Sequence, residues 1–110
     1  MSLQELQHRA LEVANHYDEY NRLASHKAWD VRDYVSGLVG DVGDLVKATM
    51  AMDGRRDMPA AAKKVEHELN DIMWSLLLLY KMYGLNPDQS FLDAMSTLEK
   101  RVVSMKEGLA

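Results

Sequence analysis

The 110-residue chain has no cysteine, two prolines, six glycines and a single phenylalanine. Without cysteine it has no disulfide, no thiolate zinc site and no thiol nucleophile. No alternating apolar segment bounded by turn residues is present, which argues against strands and leaves an all-α chain as the expectation. Long hydrophobic runs are missing as well. The longest, Ile72 to Tyr80, is interrupted by Ser75 and stopped by Lys81, far short of the roughly 20 residues that span a bilayer. The opening MSLQELQHRALE carries charges where a signal peptide needs an apolar run, so no membrane association and a cytoplasmic location are expected. Nor is there an excess of base: 13 Lys and Arg are set against 17 Asp and Glu, a formal net charge of −4, and the bases are scattered. A nucleic-acid surface would be basic and clustered, so no nucleic-acid partner is expected.

What the chain does have is apolar content, 47% in a length that suits one domain over residues 1–110. So much apolar surface in so small a domain makes a homo-oligomer the expected outlet. Ser2 with Glu5 forms a capping box for a first helix from Leu3 to about Ala24, with Leu3, Leu6, Ala10, Val13, Ala14 and Tyr17 as its buried stripe. SHKAWD breaks the period, with Asp30 or Ser25 available as a cap. A second helix is expected from Val31 to Met52, ended at Gly54. A third opens with Pro59 near its first turn and ends at Gly84. Asn86-Pro87-Asp88-Gln89 supplies an N-cap, a proline at N1 and a capping-box Gln for a fourth helix running to about Lys106. Four helices with short joints predict an antiparallel bundle with helices two and three, apolar on most faces, inside it.

Those two helices carry the chemistry. Asp41 and Asp44 lie in VSGLVGDVGDLVKATM, and Glu68 and Asp71 in KKVEHELNDIMWSLLLLY. Each pair is spaced i, i+3, which puts both carboxylates on one helix face with Cβ atoms about 5–6 Å apart. Such a pair is ordinarily a solvated face; here both are embedded in apolar helices. At helical spacing neither Asp41 nor Asp71 has a Lys or Arg to answer it. Oxygen-only ligands without basic partners call for a hard divalent cation, Mg²⁺ or Mn²⁺. Gly37, Gly40 and Gly43 each cost about 1 kcal/mol against Ala inside a helix, which either close helix packing or a ligand pocket would offset. Trp29, in the break before helix two, is placed to pack or to stack on a base. Lys47, Lys63, Lys64, Arg55 and Arg56 are solvated charges or reach a polyphosphate. His8, His16, His26 and His67 form no i, i+4 pair with one another.

Together these segments resemble the MazG-like nucleotide pyrophosphohydrolases, the all-α superfamily that includes the dimeric dUTPases and dCTP pyrophosphatase. GDVGDL is similar to the usual G-E-x-G-E-L, and HELNDIMWSLLLLYKMYGLN to the usual E-E-L-x-D followed by an apolar stretch containing Trp. The likeness runs from about Trp29 to Arg101. It implies that Asp41, Asp44, Glu68 and Asp71 hold Mg²⁺ and serve catalysis, that Arg101 helps hold the nucleotide, and that the protein is a homodimer or homotetramer; Trp29, Lys47, Arg55 and Lys64 are the further substrate-binding candidates by their own chemistry. The implied reaction cuts a nucleoside triphosphate to the monophosphate and pyrophosphate. The chain departs from the pattern in carrying Asp-x-x-Asp where most members have Glu, and Ala94 and Leu98 where relatives often have Lys and Asn. A fold-keeping protein that binds nucleotides or another protein without hydrolysis is the alternative. A di-iron bundle needs Glu-x-x-His on each of two helices, and here only Glu5 with His8 has that spacing.

Overall fold

Side-chain caps fix where three of the four helices begin. In the computed structural model, which describes all of Met1–Ala110, α1 spans Leu3–Leu23, α2 Val31–Met52, α3 Ala61–Met82 and α4 Pro87–Leu109, with no strand. Ser2 Oγ accepts from the Glu5 N–H at 3.0 Å, and Asp30 Oδ1 from the Asp33 N–H at 3.2 Å. Both are full capping boxes, Glu5 and Asp33 accepting in return. Asn86 Oδ1 accepts from the N–H groups of Asp88 and Gln89. Gly54 and Gly84 take the left-handed conformation just past α2 and α3, where a residue with Cβ is strained.

Two expected boundaries differ. Pro59 lies outside α3: Ala60 is left-handed, with φ 55°, the helix starts at Ala61, and no side chain caps it, because Pro-Ala-Ala-Ala offers no oxygen at that position. Gln89 is not a capping-box residue, since its amide donates to Asp93 Oδ1 at 2.8 Å instead. Asp88 has an unexpected role: its carboxylate accepts the free N–H groups of Leu3 and Gln4 at 2.8 and 3.0 Å. One acid thereby joins the start of α4 to the start of α1, where the helix dipole favours negative charge.

α1 and α2 both run antiparallel to α3. Gln7 Nε2 donates to the Leu77 carbonyl at 3.0 Å and Trp74 Nε1 to the Ala10 carbonyl at 3.1 Å, which sets the α1–α3 register. The buried apolar cluster is small: Ala10, Ala14, Tyr34, Leu77 and Leu78. On α1 the buried line is Gln7, Ala10, Ala14 and Asn21, while Leu6 and Tyr17 are exposed. That shift around the helix follows from the small residues that let α1 approach α3.

α4 does not complete a four-helix bundle within the chain. It meets α1 and α3 and has no contact with α2, and from Phe91 onward every residue is exposed. Phe91, Met95, Leu98, Val102, Met105 and Leu109, at alternating spacings of four and three, form an uncovered seam of coiled-coil type. α2 and α3 are not interior on all sides either. Val35, Val39, Val42 and Val46 on α2, and Leu69, Met73 and Leu76 on α3, face outward. The radius of gyration, 17.9 Å, exceeds the roughly 13 Å of a compact domain of this length. No helix is long and apolar enough to cross a membrane.

Asp88→Ala should cost about 1 kcal/mol, the usual worth of a lost helix cap. Thermal unfolding monitored by circular dichroism is expected to show a drop of several degrees in Tm, and an unchanged Tm would show that this clamp carries no stability.

Candidate functional site

The antiparallel pairing of α2 with α3 brings Asp41 and Asp44 against Glu68. One carboxylate oxygen from each of the three lies within 4.8 Å of the others. Glu68 is buried, 7% exposed, and its Oε2 has no hydrogen-bond partner. An unpaired buried carboxylate oxygen costs several kcal/mol of lost hydration unless a positive group answers it. None of the chain's ion pairs brings a Lys or Arg to these acids. Burial pushes Glu68 above the ordinary carboxylate range, and Asp41 and Asp44 add to the rise. Asp41 is raised in the same way, by burial first and by Asp71 next, with a hydrogen bond from Glu68 opposing. The donor set fits a hard divalent cation in charge and chemistry: three carboxylates, one with an orphaned oxygen, and none of them ion-paired to a Lys or Arg.

Asp71 stands apart from this triad. Its Oδ2 is 3.1 Å from His67 Nε2, one turn back on α3, so the fourth acid expected at the cation has a partner of its own. It remains close enough to raise Asp41.

On one side of the acids, Asp44 and Glu68 share a recess of about 210 Å³ with Lys47, Met58 and Lys64. Neither lysine is in an ion pair. On the other side, Asp41 and Asp71 line a cavity of about 360 Å³ with Val13, Tyr17, Trp29 and Trp74. Trp29 stacks on Tyr17 with ring centroids 5.2 Å apart, and Tyr34 meets both tryptophans edge-on at 5.8 and 5.5 Å. The trough thus runs from two free ammonium groups, over the carboxylates, to an aromatic wall.

Of the other residues expected at a substrate, Trp29, Lys47 and Lys64 line these cavities. Arg55 does not; it is exposed in the loop after α2, its N–H bonded to the Met50 carbonyl. Arg101 is exposed on the free part of α4 and does not join the acids of its own chain, because α4 has no contact with α2. Tyr17 and Tyr34 are the site residues that sequence reasoning misses, whereas Ser75 falls on the helical strip of Lys64, Glu68 and Asp71 on α3. Tyr34 had a signal, since Tyr34, Gly37 and Asp41 fall on one face of α2 by helical spacing. Tyr17 is joined to the site only by the way α1 lies on α3.

No protein-family model matches the chain, and neither a curated protein nor a solved structure does.

The raised carboxyls give the metal-free protein a signed pH dependence. A group that holds its proton more tightly when folded contributes stability below its unfolded value, about 4.3 for Glu, and that contribution is lost as pH rises through the raised folded value. In EDTA, Glu68→Gln should therefore gain Tm relative to the parent as pH goes from 4 to 7, the amide being unable to ionise. A Tm difference constant over that range would show that Glu68 keeps an ordinary value.

Proposed function

We propose that the protein is a divalent-cation-dependent nucleoside triphosphate pyrophosphohydrolase of MazG-like type that acts on the nucleotide pool as a homo-oligomer. The observation that carries this reading is the carboxylate triad, with its orphaned Glu68 oxygen, lying between a lysine recess and an aromatic cavity. The resemblance of GDVGDL and HELND to that superfamily's acid motifs supports it.

In this reading Asp41, Asp44 and Glu68 hold Mg²⁺ or Mn²⁺. The bound cation supplies neutralisation of phosphate charge and a water acidified enough to attack near neutral pH. Lys47 and Lys64, the free cations beside the triad, take the distal phosphates, so that pyrophosphate leaves on the lysine side. The base rests on the aromatic wall of Trp29 and Trp74. Asp71, set beside Asp41 and joined to His67, is the carboxylate left to accept a proton at Oδ2. The products are the nucleoside monophosphate and pyrophosphate. Arg55 and Arg101 take no part within one chain.

Assembly belongs to the same reading. The uncovered seams on α2, α3 and α4 ask for a second copy, and light scattering at micromolar concentration is expected to give a dimer or larger. A monomer would remove the assembly from the proposal.

Metal and turnover test the rest. A cation present at a hundredfold excess over its Kd stabilises the folded state by about 2.7 kcal/mol, so Mg²⁺ or Mn²⁺ should raise Tm by several degrees over EDTA, and Asp41→Asn should abolish the rise. Equal melting temperatures would sink the metal site. With a panel of nucleoside triphosphates and Mg²⁺, monophosphate and pyrophosphate are the expected products. Glu68→Gln should lower kcat by about 10²-fold or more with a smaller change in substrate affinity. The alternative, a nucleotide-binding protein without turnover, is favoured by one specific feature: Ala94 and Leu98 supply no polar group on an α4 that lies away from the triad. Cation-dependent nucleotide binding with no product above background would select it.

A further inference from the structure

Beyond the phosphate chemistry, the aromatic end of the trough has an acidic lining with no basic side chain. A cavity of about 350 Å³ is bounded by Trp29, Tyr34 and Trp74, with Asp33, Ser75 and Gly37, and it shares Asp41 with the neighbouring cavity. Three rings offer π-faces and edges to a planar ligand. Gly37 leaves the α2 side of the cavity clear, as a Cβ there would meet nothing within 4 Å. No Lys, Arg or His lines it.

We propose that this cavity selects bases carrying an exocyclic amino group, those of the cytosine, adenine and guanine class, over uracil and thymine, with Asp33 as the specificity-determining residue. The inference rests on the nucleotide reading above and adds to it the class of base.

Carboxylates accept hydrogen bonds and do not donate them when ionised. With Asp41 given to the cation, the Asp33 carboxylate, beside the hydroxyls of Tyr34 and Ser75 and with no basic side chain in the lining, complements an N–H-bearing edge. It sets its lone pairs against the paired carbonyls of uracil or thymine. Asp33 is suited to the task by its place at the third position of α2. Its Oδ2 accepts the Asp30 N–H at 2.9 Å, which fixes the carboxylate at the helix start and leaves Oδ1 without a protein partner. A carboxylate ordered before the ligand arrives loses less entropy on binding than a free side chain would. Ser75, 4% exposed, brings a hydroxyl beside that of Tyr34, each able to donate or accept.

The chain's only two tryptophans, Trp29 and Trp74, both line the cavity, so intrinsic fluorescence reads its occupancy directly and independently of hydrolysis. Titration with CMP and UMP in Mg²⁺ compares two ligands alike in size and phosphate. Quenching with a Kd about tenfold or more lower for CMP is expected, the scale of one net hydrogen bond to a charged group. Asp33→Asn keeps an oxygen for the Asp30 cap but adds a donor, and should bring the ratio below about twofold. Gly37→Leu, which fills the cavity without meeting a neighbour, should abolish quenching by both, with circular dichroism to verify the fold. Equal affinities for CMP and UMP in the parent, or an unchanged ratio in Asp33→Asn, would overturn the inference while leaving triphosphate hydrolysis standing. Quenching by choline but by neither nucleotide would overturn it in favour of an organic-cation pocket. Absence of both quenching and turnover would remove the nucleotide reading together with it.

Discussion

Mutual repulsion among Asp41, Asp44 and Glu68 is the constraint around which the α2–α3 pair is arranged. Three carboxylates with oxygens within 4.8 Å of one another oppose folding unless their charge is answered; no Lys or Arg forms an ion pair with them, and His67 offsets only part of the charge on Asp41 and Glu68. Burial sharpens the conflict, because Glu68 has lost the water that would stabilise its charge. The fold accommodates the acids through neighbours that do not compete for them. Their flanks are apolar or small on α2, Asp71 turns to His67, and the two nearby lysines remain outside any ion pair. A divalent cation, if bound as proposed, would resolve the repulsion and make the arrangement favourable. That is the physical ground for treating the cluster as a binding site and not as an acidic surface.

α1 matters to the site through what it adds on one side. Ala10 and Ala14 allow close approach to α3, and the hydrogen bond from Trp74 to the Ala10 carbonyl fixes both the register of α1 and the plane of the indole. Tyr17 then lies where it stacks on Trp29. The aromatic wall is thus assembled from α1, the α1–α2 connection, α2 and α3. The same small contacts leave a small core, and the chain keeps long apolar seams on the faces turned away from the acids. Those seams and the acidic trough occupy opposite sides of α2 by helical spacing, so covering the one need not obstruct the other.

The sequence by itself determined the elements and the chemistry of their faces. Ser2, Asp30 and Asn86 have local oxygen acceptors that start helices, Gly54 and Gly84 stop them, and the i, i+3 acid pairs follow from a helical period that needs no tertiary information. Only the tertiary structure decided which acids meet. Asp41, Asp44 and Glu68 converge and Asp71 pairs with His67, because that depends on the stagger of α2 against α3. It also placed α4, expected in a bundle and found held by its first turns alone. Helical period shows that a face is apolar but not what covers it, so stripes expected to be interior on α2 and α3 prove to face outward. Asp88 illustrates the same limit: its charge at a helix start was legible, whereas the helix it caps, 85 residues away in sequence at Leu3, is a matter of how the chain returns on itself.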